Sequence, residues 1–369
     1  MMSGSRRRSL SFDWFGFLLL VTLSLVSLFF VYSTTHHATA PYSIFFKKQL
    51  GGVIVGLAIY YGMSQFDARA LMRWGFFAYF CVIGLLVFTI VKGAVGMGGQ
   101  RWIDVFFFRI QTSELAKLFF PAFATYYLYS YDGGYATYPS PQRFIPLLIT
   151  LAVSFVLIAK QPDLGTAIVV LFSGLITFWI AGLPTRFFMY GFSVLLFTAP
   201  LLWPLLKDYQ KQRIFVFLGY GSSNKERYQI EQSTIAIGSG GIYGKGFMQG
   251  TQNRYQFLPE SRTDFIFSVI AEELGFVGAL CVIVLYIILT LYLFHQTAHV
   301  GFPYMQAQAA GLIAHIMISA LINMGMVIGL LPIVGIPLPM ISYGVSNLWI
   351  TYASLGWLAS IAQQRTHRG

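Results

Sequence analysis

Long apolar stretches, separated by short polar segments, run along almost the whole chain. The stretch from Trp14 to Tyr32 contains no charged residue, and it exceeds the roughly 18 residues that a bilayer-spanning helix requires. Backbone groups in lipid must pair within their own segment, so such stretches form helices. The pattern predicts an all-α, polytopic integral membrane protein. About ten transmembrane helices are expected, near residues 14–32, 48–66, 71–91, 113–131, 144–160, 164–182, 186–206, 264–294, 305–331 and 339–362.

The composition agrees with a membrane protein and excludes a soluble globule. Of the 369 residues, 56% are hydrophobic and 10% are charged, whereas soluble domains average about 25% charged residues. The formal net charge of +11 would indicate nucleic acid in a soluble protein. In a membrane protein it favours lipid head groups or an anionic lipid-linked substrate. Cys81 and Cys281 lie inside apolar stretches and have neither disulfide nor zinc spacing.

Positive charges predict the orientation in the membrane. Arg6, Arg7 and Arg8 precede the first apolar stretch and no cleavage site follows it, which indicates a retained first helix. Both termini are then cytoplasmic, and arginines fall in the cytoplasmic loops and tail as the positive-inside rule expects. These are Arg69, Arg73, Arg143, Arg186, Arg365 and Arg368. The cation-rich segment 207–263 is predicted to be one long extracytoplasmic loop of a single transmembrane domain over 1–369, and its charges favour an anionic ligand.

Polar residues concentrate in three groups on the predicted outer side. They are Arg101, Trp102, Asp104, Ser113, Glu114 and Lys117; then Lys160, Gln161, Asp163 and Thr166; and then Pro259, Glu260, Arg262, Thr263 and Asp264. Glu114 and Lys117 are three residues apart on one predicted helix, so they can form an ion pair. Such a pair either neutralises two charges near lipid or lines a polar cavity. The sequence leaves both interpretations open.

Asp264 is the candidate general base. It lies at the start of the eighth predicted span, where a carboxylate favours the helix dipole and Thr263 could serve as the cap. Ser268 and Glu272 follow at four-residue steps, so they share its helix face and lead polar groups inward. A carboxylate at the mouth of such a stripe, surrounded by cations, could act as a general base. The capping and catalytic interpretations both stand on the residues alone.

The stretch from Gly238 to Gly246 is rich in glycine but fits no nucleotide-binding motif. Gly246 follows Lys245 where a P-loop needs Ser or Thr, and Tyr243 stands where a dinucleotide fingerprint needs its last glycine. The favoured interpretation is a flexible loop or a re-entrant turn. The alternative is a backbone nest near a phosphate, with Lys245 as a point charge.

Five ordered motifs resemble the SEDS family (shape, elongation, division, sporulation). They are Gly99–Asp104 (GQRWID), Ser113–Lys117 (SELAK), Gln161–Thr166 (QPDLGT), Phe257–Phe267 (FLPESRTDFIF) and Leu331–Gly344 (LPIVGIPLPMISYG). The segments Gly244–Gln252 and Ile336–Pro339 resemble the elongation branch rather than the division branch. Four positions depart from the family pattern: Arg262 replaces a usual His, Thr112 replaces a usual Pro, and Val345 and Asn347 replace small residues.

The resemblance implies a peptidoglycan glycosyltransferase of the bacterial cytoplasmic membrane. Its substrate would be lipid II, an undecaprenyl-pyrophosphate-linked disaccharide-peptide, and its product a β-1,4-linked glycan strand made outside the membrane during elongation. It would pair with a class B penicillin-binding protein and with membrane proteins of the elongation machinery. No organic cofactor is expected, whereas a divalent cation, Mg²⁺ or Mn²⁺, is an open expectation.

Under that resemblance, Asp264 would deprotonate the sugar 4-hydroxyl of one lipid II, which then attacks the anomeric carbon of another with inversion. The leaving pyrophosphate needs positive charge. The predicted substrate and cavity residues are Arg101, Glu114, Lys117, Asp163, Lys245, Gln252, Arg254 and Arg262. Two alternatives remain: a lipid II flippase, for which Glu272 and Glu273 are the intramembrane acids, and a non-catalytic activator of the penicillin-binding protein.

Overall fold

The computed structural model describes residues 13–36, 42–96, 99–105, 108–131, 140–220 and 224–364. Its helices are α1 (Trp14–Thr35), α2 (Ile44–Gln65), α3 (Ala68–Lys92), α4 (Thr112–Tyr131), α5 (Ile145–Lys160), α6 (Leu164–Ile180), α7 (Thr185–Leu202), α8 (Asp208–Phe217), α9 (Asn224–Gly240), α10 (Thr251–Arg254), α11 (Ile266–Ala298), α12 (Pro303–Val327) and α13 (Val345–Ala362). The predicted orientation signals Arg6 to Arg8, Arg365 and Arg368 lie outside the described residues.

A helix lies at each of the ten predicted spans, which confirms the predicted all-α membrane fold. Within the described residues, six helical segments are long and apolar enough to cross a bilayer, and α6 is a shorter apolar helix. The six segments are α1, α2, α3, residues 141–160, α11 and α12. α4 and α13 are less apolar, and most of their side chains pack against protein rather than lipid. A buried helix can carry polar groups that a lipid-facing helix cannot.

Side-chain caps fix where several helices begin. The carboxylate of Asp13 accepts the Gly16 N–H at the start of α1, and the hydroxyl of Ser43 accepts the Phe46 N–H at the start of α2. Asp67 accepts the N–H groups of Arg69 and Ala70 at the start of α3. These side chains satisfy donors that have no partner within their own helix.

Helix α13 lies in the centre of the bundle, packed closely against α2 and in contact with α12. Its Tyr352 and Trp357 are fully buried. A Cβ atom at Gly56 of α2 would lie 2.2 Å from the Tyr352 ring, so only glycine allows this approach. Small residues play this role widely in membrane helix pairs, because they let two helices pack closely.

The segment between α3 and α4, which was expected to be a loop, contains a small antiparallel sheet. The strands are β1 (Ala94–Gly96), β2 (Gly99–Val105) and β3 (Phe108–Gln111), in the order β1-β2-β3. Ile103 pairs with Ile110, and Asp104 pairs with Arg109. The sheet supplies Arg101 and Gln111 to the candidate site.

The long segment 207–263 is largely structured. It contains α8, α9 and α10, and α9 packs along α11. Helix α11 was predicted as one continuous span from residue 264, but it begins at Ile266 and is interrupted at Gly275, where φ is +69° and ψ is −165°. This interruption divides the helix into two parts and leaves backbone groups that the preceding segment pairs with.

Candidate active site

Asp264 lies in a tight turn that precedes α11. The carbonyl of Glu260, a residue with φ of +55°, accepts the N–H groups of Thr263 at 3.1 Å and Phe265 at 3.3 Å. The Thr263 hydroxyl donates to Glu260 Oε2 at 3.1 Å. The N-cap of α11 is Phe265, which makes no side-chain capping bond. The capping interpretation of Asp264 and Thr263 is therefore wrong, because neither side chain caps the N-terminus of α11.

The segment between α12 and α13 holds this turn in place. The Tyr343 N–H donates to the Arg262 carbonyl at 2.9 Å, and the Ser342 hydroxyl donates to the Thr263 carbonyl at 2.5 Å. The Asn323 amide donates to the Asp264 carbonyl at 2.8 Å and to a carbonyl of the 332–339 segment at 2.7 Å. The backbone of Asp264 is thus fixed on both sides, which orients its side chain.

The Asp264 carboxylate itself is left open. Among the described residues, none donates a hydrogen bond to it, and the residue is half-buried. A Cβ atom at Gly335 would lie 3.4 Å from Oδ2, so the glycine leaves space beside the carboxylate. This opening gives a substrate hydroxyl room to approach the acid.

Burial and neighbouring charges raise the pKa of Asp264 to about 7. Burial is the largest cause, and the negative charge of Glu260 adds to it. The positive charges of Arg101 and Arg213 act in the opposite direction, and the negative charge of Asp163 raises the pKa slightly. A general base is most effective when its pKa lies near the working pH, so this environment suits proton abstraction.

Arg101 and Asp163 are a positive and a negative group whose charges act on Asp264. Arg101 Nη1 lies 3.5 Å from Asp163 Oδ1, and Asp163 Oδ2 accepts from Gln111 Nε2 at 2.6 Å and from Ser113 Oγ at 2.7 Å. Arg101 Nε is buried, and no hydrogen-bond acceptor lies within reach of it among the described residues. An unpaired buried donor is costly, and the Arg101 side chain is 18% exposed, so its guanidinium group could bind an oxygen of an anionic ligand.

Glu114 and Lys117 form a buried ion pair on α4. Lys117 Nζ lies 2.6 Å from Glu114 Oε2, with 2% and 3% of the two side chains exposed. The Asn347 amide also donates to Glu114 Oε2 at 3.0 Å. The pair therefore faces protein and not lipid, and Asn347, one of the departures from the family pattern, takes part in it.

Two of the other predicted cations are placed differently. Arg262 stacks over the Phe45 ring, with 4.0 Å between the guanidinium carbon and the ring centre. Arg254, at the end of α10, is exposed, and its side chain makes no hydrogen bond or ion pair with a described residue. Arg254 is therefore an exposed cation of the 207–263 segment, and Arg262 a half-buried one.

Lys245 is engaged with a buried acid. Its Nζ lies 2.6 Å from Glu272 Oε1 and 2.9 Å from the Thr251 hydroxyl. The N–H of Gln252 also donates to Glu272 Oε1, at 3.2 Å, and the Gln252 side-chain oxygen is buried without a partner among the described residues. The structure therefore groups Lys245 and Gln252 around Glu272, and it does not group them with Arg101 and Asp163.

The glycine-rich segment pairs with the interrupted part of α11. The N–H groups of Lys245 and Gly246 donate to the carbonyls of Glu272 and Glu273, each at 3.0 Å. In return, the N–H groups of residues 276 and 277 donate to the carbonyls of residues 241 and 242, at 2.8 and 3.1 Å. A Cβ atom at Gly244 would lie 2.1 Å from the Glu273 carbonyl oxygen. The segment is therefore an ordered turn, and the N–H groups of Lys245 and Gly246 are used within the protein.

Three residues near Asp264 escaped the sequence-based selection. Arg213 lies on α8 among other loop cations, and nothing in the sequence distinguishes it from them. Gln111 ends a strand that the apolar pattern does not predict. Asn323 had a usable signal, because an amide in an apolar span needs a partner inside the protein.

No group of three or more His, Cys, Asp and Glu side chains suited to a metal ion occurs in the described parts of the chain. Mg²⁺ is often held by one or two carboxylates together with substrate phosphates. Asp264 and Glu260 are the carboxylates that could contribute in this way, so the expected divalent cation stays a prediction.

Comparison with known proteins shows relatives along nearly the whole chain. The peptidoglycan glycosyltransferase MrdB of Escherichia coli (strain K12) is 39% identical over 326 residues, covering 87% of this chain and 86% of that protein. The peptidoglycan glycosyltransferase RodA of Treponema pallidum (strain Nichols) is 30% identical over 425 residues, covering 95% and 97%.

Solved structures share the fold. A chain of a peptidoglycan synthase complex, described as coordinating polymerization and crosslinking, matches with a TM-score of 0.80 and 29% identity, over 97% of this chain and 99% of that one. The rod shape determining protein RodA of Thermus thermophilus matches with a TM-score of 0.71 and 24% identity, over 97% and 98%. The family model for FtsW, RodA and SpoVE, described as cell cycle proteins, matches residues 11–367. This chain belongs to the FtsW, RodA and SpoVE family.

Proposed function

We propose that this protein is a peptidoglycan glycosyltransferase that polymerises lipid II into β-1,4-linked glycan strands during cell elongation. The observation that carries the proposal is the Asp264 carboxylate. It accepts no hydrogen bond from a residue that the structure describes, its pKa is about 7, and the charges of Arg101 and Arg213 act on it. The relatives named as peptidoglycan glycosyltransferases support the same reaction.

The reaction follows from the arrangement of these groups. Asp264 takes the proton of the 4-hydroxyl on the acceptor sugar, and that oxygen forms a bond to the anomeric carbon of the donor muramyl sugar. The bond from the anomeric carbon to the pyrophosphate oxygen breaks, and the configuration inverts. Arg101, with its unpaired Nε, and Arg213 place positive charge where the pyrophosphate leaves, and fixed charge of this kind stabilises developing negative charge.

The site is proposed to lie on the extracytoplasmic side, with both termini in the cytoplasm. The arginines in the short loops at the opposite end of the bundle support this orientation through the positive-inside rule. A class B penicillin-binding protein is the proposed partner, because the related chain in the solved complex belongs to an assembly that couples polymerization to crosslinking.

The flippase alternative depended on Glu272 and Glu273. Glu272 accepts hydrogen bonds from the segment between α9 and α11, and Glu273 Oε1 accepts the Ser33 hydroxyl at 2.5 Å. Both acids have contacts that join helices and loops, so they give no reason to prefer lipid transport over glycosyl transfer.

The test is polymerisation of labelled lipid II by the purified protein in complex with its penicillin-binding partner. Wild type, Asp264→Asn and the control Glu231→Gln are compared on a gel, with the partner's crosslinking blocked. Glu231 is an exposed carboxylate paired with Arg227 on α9, so its loss should not affect turnover. Loss of a general base typically lowers the rate about 10²–10⁴-fold, and we expect this for Asp264→Asn alone.

Wild-type turnover in Asp264→Asn would refute the catalytic assignment. No strands from any variant, despite intact folding and partner binding, would instead favour the flippase or the non-catalytic activator.

A further inference from the structure

Glu272 is a fully buried carboxylate that accepts hydrogen bonds from one short segment of the chain. Its Oε1 accepts from Lys245 Nζ at 2.6 Å, from the Thr251 N–H at 2.8 Å and from the Thr251 hydroxyl at 3.0 Å. The Gln252 N–H donates to both oxygens, at 3.2 and 3.3 Å. A buried charge is tolerated when it is paired and hydrogen-bonded in this way.

Two of the donor residues, Thr251 and Gln252, begin α10. The first N–H groups of a helix have no acceptor within it, and the N-cap of α10, Gly250, has no side chain to supply one. Glu272, on α11, supplies the acceptor for α10. Its negative charge lies next to the N–H groups at the start of α10, which is a favourable arrangement. A Cβ atom at Gly250 would lie 2.8 Å from Glu272 Oε2, so the close approach of the carboxylate depends on this glycine.

Hydrogen bonds continue from α10 to the residues that precede Asp264. The Gln252 carbonyl accepts the N–H groups of Phe257 at 3.0 Å and Leu258 at 3.3 Å. The Asn253 side chain accepts the Ser261 hydroxyl at 3.1 Å and donates to the backbone of α1 at 3.1 Å. The position of α10 therefore determines where the chain enters the turn of Asp264.

The segment that enters α10, which contains Lys245, is fixed by its backbone pairing with α11 around Gly275. Residues 241–246 hydrogen-bond to both parts of α11, so the helix that carries Glu272 also holds Lys245. Glu272 and Asp264 are eight residues apart on the same segment. The chain from Lys245 to Ser261 also connects them, because it hydrogen-bonds to Glu272 at one end and leads into the turn of Asp264 at the other.

We propose that Glu272 is a positioning residue for Asp264, and that Lys245 neutralises Glu272 and does not bind the lipid pyrophosphate. The proposal rests on the proposed function, because the effect of Glu272 is defined by the turnover that Asp264 supports. Glu272 touches no reacting atom; it acts by holding α10 and the turn.

The test is steady-state polymerisation by the purified complex, with kcat and KM determined separately. The variants are Glu272→Leu, Glu272→Gln, Lys245→Met and Gly250→Ala, with Glu231→Gln and Gly238→Ala as controls. An added Cβ at Gly238 meets no atom within 4 Å. A displacement of about 1 Å at a reacting group can lower turnover about 10²-fold, so we expect Glu272→Leu to lower kcat about tenfold to hundredfold with KM nearly unchanged.

Glu272→Gln should lose less, because its amide oxygen still accepts the N–H groups of α10. Gly250→Ala should lower kcat without changing any charge, since its Cβ displaces the Glu272 carboxylate. The pH at which kcat/KM reaches half its maximum should stay at the wild-type value in both variants. Folding is followed by the thermal transition, so Glu272→Gln and Gly250→Ala decide the question if Glu272→Leu does not fold.

Wild-type kcat in both Glu272→Gln and Gly250→Ala would overturn the proposal. A large rise in KM for Lys245→Met, with normal Glu272→Gln, would also overturn it and would identify Lys245 as a pyrophosphate ligand. Asp264→Asn and wild type are measured in parallel. Retained turnover in Asp264→Asn would refute the catalytic assignment of Asp264 and the positioning role with it, and no strands from wild type would refute the proposed function. Loss of turnover in Asp264→Asn with normal Glu272 variants would refute only the positioning role.

Discussion

The pKa of Asp264 makes a direct prediction about the pH dependence of the enzyme. A base with a pKa of about 7 is about half ionised at pH 7, and about one tenth ionised at pH 6. We expect kcat/KM to rise with pH, to reach half of its maximum near pH 7, and to fall about tenfold per pH unit well below that value.

Two substitutions should move this midpoint in opposite directions. Glu260→Gln removes a negative charge that raises the pKa of Asp264, so the midpoint should move to lower pH. Arg213→Gln removes a positive charge that lowers the pKa, so the midpoint should move to higher pH. Arg101 and Asp163 are unchanged in both variants, so their contribution to the pKa of Asp264 stays the same.

The assay is the initial rate of lipid II polymerisation from about pH 5 to pH 9, with Glu231→Gln as the control that keeps the wild-type midpoint. A flat profile between about pH 6 and pH 8 would refute the raised pKa of Asp264. Removing a negative charge and removing a positive charge should move the midpoint pH in opposite directions. Shifts of both charge variants in the same direction would therefore refute the electrostatic reasoning.

Two further predictions concern the surroundings of the carboxylate. Gly335→Ala places a Cβ 3.4 Å from Asp264 Oδ2 at a φ of +71°, so it should lower kcat/KM. Gly329→Ala carries the same type of backbone strain, at φ of +79° with open space around it, and it should lose only stability, by about 1–2 kcal/mol. EDTA treatment should abolish polymerisation, and Mg²⁺ or Mn²⁺ should restore it, if a divalent cation assists the pyrophosphate; unchanged rates in EDTA would remove the metal from the mechanism.

The membrane helices were predictable because hydrophobic length alone selects them. All ten predicted spans contain a helix, and the ends differ by a few residues, as for α2 and α13. The small sheet was missed because its strands are only three to seven residues long and lie between two long helices. The break at Gly275 was missed because a glycine inside an apolar stretch carries no signal that separates a kink from close packing.

The candidate site was predicted in part, and the reason lies in sequence separation. Glu114 and Lys117 are neighbours on one helix, so their spacing predicted the ion pair that the structure contains. Lys245 and Glu272 are distant in sequence, and only the fold brings them together. The sequence therefore identified Lys245 as a cation of the loop but could not identify the acid that it contacts.

The interruption of α11 also bears on how the protein fits its membrane. A continuous helix of 33 residues would be about 50 Å long, well beyond the roughly 30 Å of the hydrocarbon layer. The part after Gly275 is about 34 Å long, which suits a bilayer with slight tilt. The break therefore divides the helix into a part whose length matches the bilayer and a shorter part, next to Asp264, whose length the bilayer does not set.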